Sequence, residues 1–141
     1  MRLAALIGVL LALATVSAAR RRLDVVEVRG RSMAPALLPG DRLLVVRARP
    51  RPGDVVLAFD PREARRELVK RVAAVDDLGV RLHGDNAVAS TDARAFGPVP
   101  ADRVQWRAVF RYWPFGRIGR IRPGPLTPPR SPPGVSAQPI G

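Results

Sequence analysis

From Leu3 to Ala19 the chain carries no charged residue. As a helix the run LAALIGVLLALATVSAA would extend about 25 Å at roughly 1.5 Å per residue, enough for a short membrane span. A cleavable signal peptide is the companion reading, because Arg2 supplies a charged start and Val16-Ser17-Ala18 offers small residues of the A-x-A type. Arg20, Arg21 and Arg22 follow at once, and side chains of this kind snorkel at a lipid boundary, which favours a retained anchor over residues 1–22. Three arginines after the span against Arg2 before it would, by the positive-inside rule, keep the following domain cytoplasmic.

Beyond the span the pattern changes to short Val- and Leu-rich runs at 25–28, 42–46, 54–59, 68–75, 80–83 and 104–112. Turn formers separate them: Pro39-Gly40-Asp41, Pro52-Gly53-Asp54, Asp76-Asp77-Leu78-Gly79 and Gly84-Asp85-Asn86. Closely spaced short strands predict a mainly β domain over 23–121. Only Arg62 to Glu67 reads as briefly helical, or else as a charged turn. The aromatic cluster Tyr112-Trp113-Pro114-Phe115 lies beside Arg111, Arg117 and Arg120, and is either a core-closing strand end or an interfacial belt facing lipid. From Arg122 onward seven of twenty residues are proline and apolar periodicity is absent, so residues 122–141 read as a disordered tail.

Charge narrows the function classes by its position. The net charge of +12 comes from the ends: residues 1–22 hold four arginines and no acids, residues 103–141 seven arginines and no acids, while 23–102 balance thirteen cations against twelve anions. A nearly neutral middle with basic ends suits a protein lying on anionic lipid better than one with a phosphate-tracking groove, so no nucleic-acid partner is expected. The chain has no cysteine and a single histidine, His83, which removes cysteine nucleophiles and multi-histidine metal sites. His83 reads as an ordinary strand-end residue, Asp76 and Asp77 as a solvated turn, and no glycine-rich phosphate loop is present.

Lys70 is the only lysine beside 23 arginines. A solvated surface charge accepts either cation, whereas a group that must lose its proton near neutral pH can be lysine but hardly arginine. Its neighbours in Leu68-Val69-Lys70-Arg71-Val72-Ala73 are largely apolar and would desolvate the ammonium, making it a candidate base.

Ser32 stands in Gly30-Arg31-Ser32-Met33-Ala34-Pro35-Ala36-Leu37, followed by Pro39-Gly40-Asp41. This stretch resembles the nucleophile box of type I signal peptidases, Lys70-Arg71-Val72 resembles their lysine box, and Gly84-Asp85-Asn86 through Ser90-Thr91-Asp92-Ala93-Arg94 resembles their third box. Gly53-Asp54-Val55-Val56 is similar to the strand that follows the nucleophile box. The resemblance covers about residues 25–118 and implies a compact β-barrel or sandwich core behind one transmembrane helix. By the same resemblance Ser32 is the nucleophile, with its N–H in the oxyanion hole, and Lys70 is the general base. Ser90 orients that lysine, while Arg71, Asp92 and Arg94 brace the site from behind. Met33, Pro35, Asp85 and Asn86 are candidates to border the substrate groove.

Departures from the pattern are Gly30, where some members carry a serine that completes the oxyanion hole, Ala36 for threonine, and Ala93 for serine. The short Val75–Gly79 segment implies a minimal enzyme without the inserted β-domain of larger relatives. The implied activity is endoproteolysis of preproteins at a membrane, without metal or organic cofactor. The resemblance implies an outward-facing domain, opposite to the charge rule, so the side of the membrane stays open. So do a dedicated maturation protease for one partner, a non-catalytic membrane-bound interaction protein and a basic polyanion binder. The sequence sets no oligomeric state.

Overall fold

The computed structural model describes residues 2–89 and 97–125. Helix α1, Arg2–Arg20, takes up the uncharged run, and from Leu3 onward its side chains are exposed. Its length and composition suffice to cross a membrane.

Strands β1 (Leu23–Glu27), β2 (Arg42–Arg47), β3 (Val55–Asp60), β4 (Glu63–Asp76), β5 (Gly79–His83), β6 (Trp106–Trp113) and β7 (Gly119–Arg120) form one antiparallel sheet. Its order is β1-β2-β6-β3-β4-β5, with β7 on β6. The mainly β expectation therefore holds, behind a single apolar helix.

The central strand explains the continuous apolar run at 55–59. Val55 and Leu57 belong to one buried cluster, with Val28, Met33, Leu37 and Val45, while Val56 and Ala58 belong to another, with Val72, Val80, Val99 and Val104. Successive side chains point to opposite faces of a strand, so alternate membership means that both faces of β3 are covered. A one-residue slip would exchange the two clusters, and the register Val56↔Lys70, Leu57↔Val69 is accordingly well specified.

Strand β4 starts earlier than the sequence suggests. Arg62 to Glu67, expected as a helical or charged-turn piece, is almost wholly strand, pairing Phe59↔Glu67 and Asp60↔Glu63. The reason is tertiary. Buried Asp60 accepts from the Arg62 N–H at 2.9 Å and from its guanidinium at 3.1 Å, which closes a tight hairpin and outweighs the helix propensity of Arg, Glu and Ala. Those Arg62 contacts hold the Asp60 carboxyl below its usual range.

Two turns have the same construction. In Leu38-Pro39-Gly40-Asp41 the Asp41 N–H donates to Leu38 O at 3.0 Å, and the Leu38 N–H donates to the Asp41 carboxylate at 3.0 Å. In Arg51-Pro52-Gly53-Asp54 the equivalent bonds are both 3.0 Å. Gly40 and Gly53 have φ of 90° and 89°, the value that a Pro-Gly type II turn requires at its third residue. The first turn feeds β2 and the second β3.

The aromatic cluster does not close the core. Trp113 and Phe115 meet edge to face with centroids 4.7 Å apart, Arg42 lies over Trp113 at 5.9 Å, and Phe115 is largely exposed. After β7 the chain returns along the sheet: Ile121 packs against the first cluster, and the Gly124 N–H donates to Gly53 O at 3.0 Å.

Candidate active site

Between β1 and β2 the chain makes a loop whose ends are tied, the Val28 N–H to Asp41 O and the Gly40 N–H to Val28 O, both at 2.8 Å. Met33, 1% exposed, and Leu37 sink into the first cluster and pin the loop from beneath. Ser32, next to that plug, is half-buried and faces a cleft of about 610 Å3. Residues 25–32 form one wall, residues 65–70 with Glu63 the other, and Ala89 lies at the margin.

Lys70 lines the same cleft yet is only 3% exposed. The structure thus brings the candidate nucleophile and the candidate base, 38 positions apart by their numbers, into one cavity. Gly30 is also in its wall, and a Cβ built there meets nothing within 4 Å. Among the groove candidates, Pro35 is exposed on the loop, and Pro35, Asp85 and Asn86 are not among the residues lining the cleft. Met33 is likewise turned inward as loop support rather than groove wall.

Behind Lys70 lies an ion pair. Arg71, 5% exposed, donates through Nε and Nη2 to the two oxygens of Asp85 at 2.7 and 2.6 Å, and through Nη1 to Gly53 O at 2.9 Å. Planar fork geometry makes this bidentate contact available to arginine alone. Asp85 is therefore occupied in holding the lysine strand to the Gly84-Asp85-Asn86 turn, and the Asn86 N–H reaches Ser32 O at 2.9 Å. One turn thus touches both the strand of Lys70 and the backbone of Ser32. Gly124 covers the guanidinium so closely that a Cβ there would stand 2.5 Å from Arg71 Cζ.

His83 pairs with Arg71 across β4 and β5, and among the described residues its buried Nε2 has no hydrogen-bond partner. Burial pushes its pKa below the usual 6.5; Arg71 and Lys70 add to this and Asp85 opposes it. Ser90, Asp92 and Arg94 lie outside the described residues. Among the described residues no group of three or more His, Cys, Asp or Glu side chains gathers to hold a metal ion.

Sequence reasoning missed a second ion-pair network. Asp41, 1% exposed, accepts from Arg111 Nη1 at 3.1 Å and from Arg117 Nη1 at 2.8 Å, and both guanidiniums also reach Ala36 O, at 3.1 and 3.4 Å. The only signal was an aspartate ending the nucleophile box and a surplus of arginine around the aromatic cluster.

The sheet thus presents a half-buried serine and a buried lysine in one cleft, and follows an apolar helix in the chain. A family model described as signal peptidase, peptidase S26, matches residues 1–83, more than half of the chain. The mitochondrial ATP-independent inner membrane protease subunit 1a of Arabidopsis thaliana is 34% identical over 124 residues, which cover 68% of this chain and 74% of the relative. The mitochondrial inner membrane protease subunit 2 of Danio rerio is 30% identical over 84% of this chain and 79% of the relative. The mouse subunit 1 is 31% identical over 52% of this chain, and the match spans only 56% of that relative's length. The chain belongs to the signal peptidase family, peptidase S26.

Proposed function

We propose that the protein is a membrane-tethered serine endopeptidase in which Ser32 attacks the scissile carbonyl and Lys70 takes and returns the proton. The observation that carries this reading is the 3% exposure of Lys70 in the cleft that Ser32 also lines. Charging an amine so placed costs desolvation, which favours the neutral, proton-accepting form. Among the described residues the edge of β1 away from β2 has no strand partner, nor does the N-terminal half of β4 on the side away from β3, and both border the cleft. An extended substrate segment pairs with such edges through its backbone, which brings a peptide bond over Ser32. The Ser32 N–H is the first oxyanion donor, and the open space at Gly30 accommodates the second from a neighbouring group or water. Acylation of Ser32 releases the leaving amine, protonated by Lys70, and water activated by the same amine frees the enzyme.

The substrates are precursors whose N-terminal segment carries small residues beside the cleaved bond, delivered along the membrane that α1 enters. The relatives' designation as inner membrane protease subunits supports membrane attachment and favours a second chain as assembly partner. Ser32→Ala, Lys70→Ala and Lys70→Arg, assayed on a preprotein with an A-x-A site, test the chemistry. All three should abolish cleavage. Cleavage retained by Lys70→Arg overturns the reading, because a fixed charge would then suffice.

A further inference from the structure

The two bonds that close the nucleophile loop, Val28 N–H to Asp41 O and Gly40 N–H to Val28 O, fix its ends and leave residues 31–37 to be held by other means. Part of that hold is apolar, through Met33 and Leu37. The polar part has two anchors: the Asn86 N–H on Ser32 O at 2.9 Å, and a set of bonds that converges on one carboxylate. Asp41 takes the Leu38 N–H at 3.0 Å, Arg111 at 3.1 Å and Arg117 at 2.8 Å, and the two arginines in turn clamp Ala36 O. Arg111 Nε also donates to Arg117 O, which ties strand β6 to the turn behind it. The result is a rigid bracket from β6 to a carbonyl four residues beyond the nucleophile.

Two guanidiniums on one buried carboxylate leave a net positive charge, and the dipole of the loop carbonyl Ala36 O, which accepts from both, offsets part of it. The bracket is therefore complete only when the loop is in place. We infer that Asp41, acting through Arg111 and Arg117, is a positioning residue that sets the attack geometry of Ser32. This rests on the assignment of Ser32 as nucleophile. It differs from the Arg71 and Asp85 pair, which steadies the lysine strand and reaches the serine loop only at Ser32 O, through the Asn86 N–H.

The test uses the full-length chain in detergent or lipid, with Asp41→Asn and Arg117→Gln, a preprotein carrying an A-x-A site, and Ser32→Ala in parallel. Misplacing a nucleophile by about 1 Å costs on the order of 10²-fold in rate. Asp41→Asn should lower kcat by about 10- to 100-fold with KM within about twofold, and the acid limb of the pH profile should stay in place because Lys70 is untouched. Arg117→Gln, which leaves Arg111 on the carboxylate, should give a smaller loss of the same kind, and Arg117→Lys should recover part of it. Amide hydrogen exchange of residues 31–37 should quicken in both variants while the β2 and β6 amides keep their protection. An unchanged kcat in folded Asp41→Asn and Arg117→Gln overturns the inference, as does a loss that merely follows the folded fraction or loop exchange that does not change. Should Ser32→Ala cleave as well as the parent, the nucleophile assignment fails instead, and with it a role for Asp41 in catalysis, whatever the exchange rates show.

Discussion

The chain builds the same Pro-Gly-Asp turn twice and uses the two copies differently. Behind the serine loop, the Asp41 carboxylate does the bracing: it is buried and shared by two arginines. Behind the lysine strand, the main chain does it. Gly53 O accepts from Arg71 and from the Gly124 N–H, while among the described residues the Asp54 carboxylate has only the Arg51 N–H and a distant Arg107 at 3.8 Å. Local sequence dictates the turn, and long-range partners decide which of its atoms carries load.

Sharp contrasts follow between equivalent substitutions. Asp41→Ala strands two arginines and should cost about 3–5 kcal/mol, against about 1–2 kcal/mol for Asp54→Ala, measured by urea denaturation. Equal losses would erase the distinction. At the glycines the order reverses. A side chain at φ near +90° costs about 1–2 kcal/mol, and Gly40→Ala should lose that much alone. Gly53→Ala should lose more, because its Cβ would also meet Gly124 O at 3.0 Å and Pro123 Cβ at 3.3 Å.

Gly124→Ala probes the main-chain brace from the other side: its Cβ must displace the Arg71 guanidinium, for about 1–3 kcal/mol of overpacking and a fall in cleavage rate. His83, beside that guanidinium, gives a smaller and pH-dependent effect. Its folded pKa lies below the usual 6.5, so at neutral pH the imidazole is mostly uncharged in both states. As pH falls through 6.5 the unfolded chain binds the proton first, and stability drops until the folded histidine also protonates. The decline in Tm between pH 7 and pH 5 should therefore be shallower in His83→Gln than in the parent. Smallest of all, Gly30→Ala should leave stability within about 0.5 kcal/mol, since no atom lies within 4 Å of the added Cβ.

Most strands were legible because alternating or continuous apolar runs ended at Pro-Gly-Asp or Asp-Asp-Leu-Gly turns, where backbone preference and burial agree. The first half of β4 was not: Glu63 to Glu67 has no apolar alternation, and its strand state comes from β3 and the Asp60 turn. Lys70 stood out by composition, since burial of a lone lysine among arginines leaves a trace in residue choice. Asp41 left only its place at the end of the nucleophile box, because its partners lie 70 and 76 positions downstream in a segment already rich in arginine. The aromatic turn misled for the same reason. Its side chains look like core, but Tyr112, Trp113 and Phe115 are exposed, while Arg111 and Arg117 beside them turn to the buried Asp41.

The unpaired edge of β4 has a further consequence. A backbone able to accept one extended peptide accepts any other, including the exposed strand of a second copy crowded into the same bilayer. Glu63, Arg65, Arg66 and Glu67 place charges of both signs along that edge, so an apolar strand sliding in meets a row of ions it cannot solvate. Fibre formation is thereby discouraged by side chains that also line the cleft, and neutralising them would remove that protection against self-polymerisation.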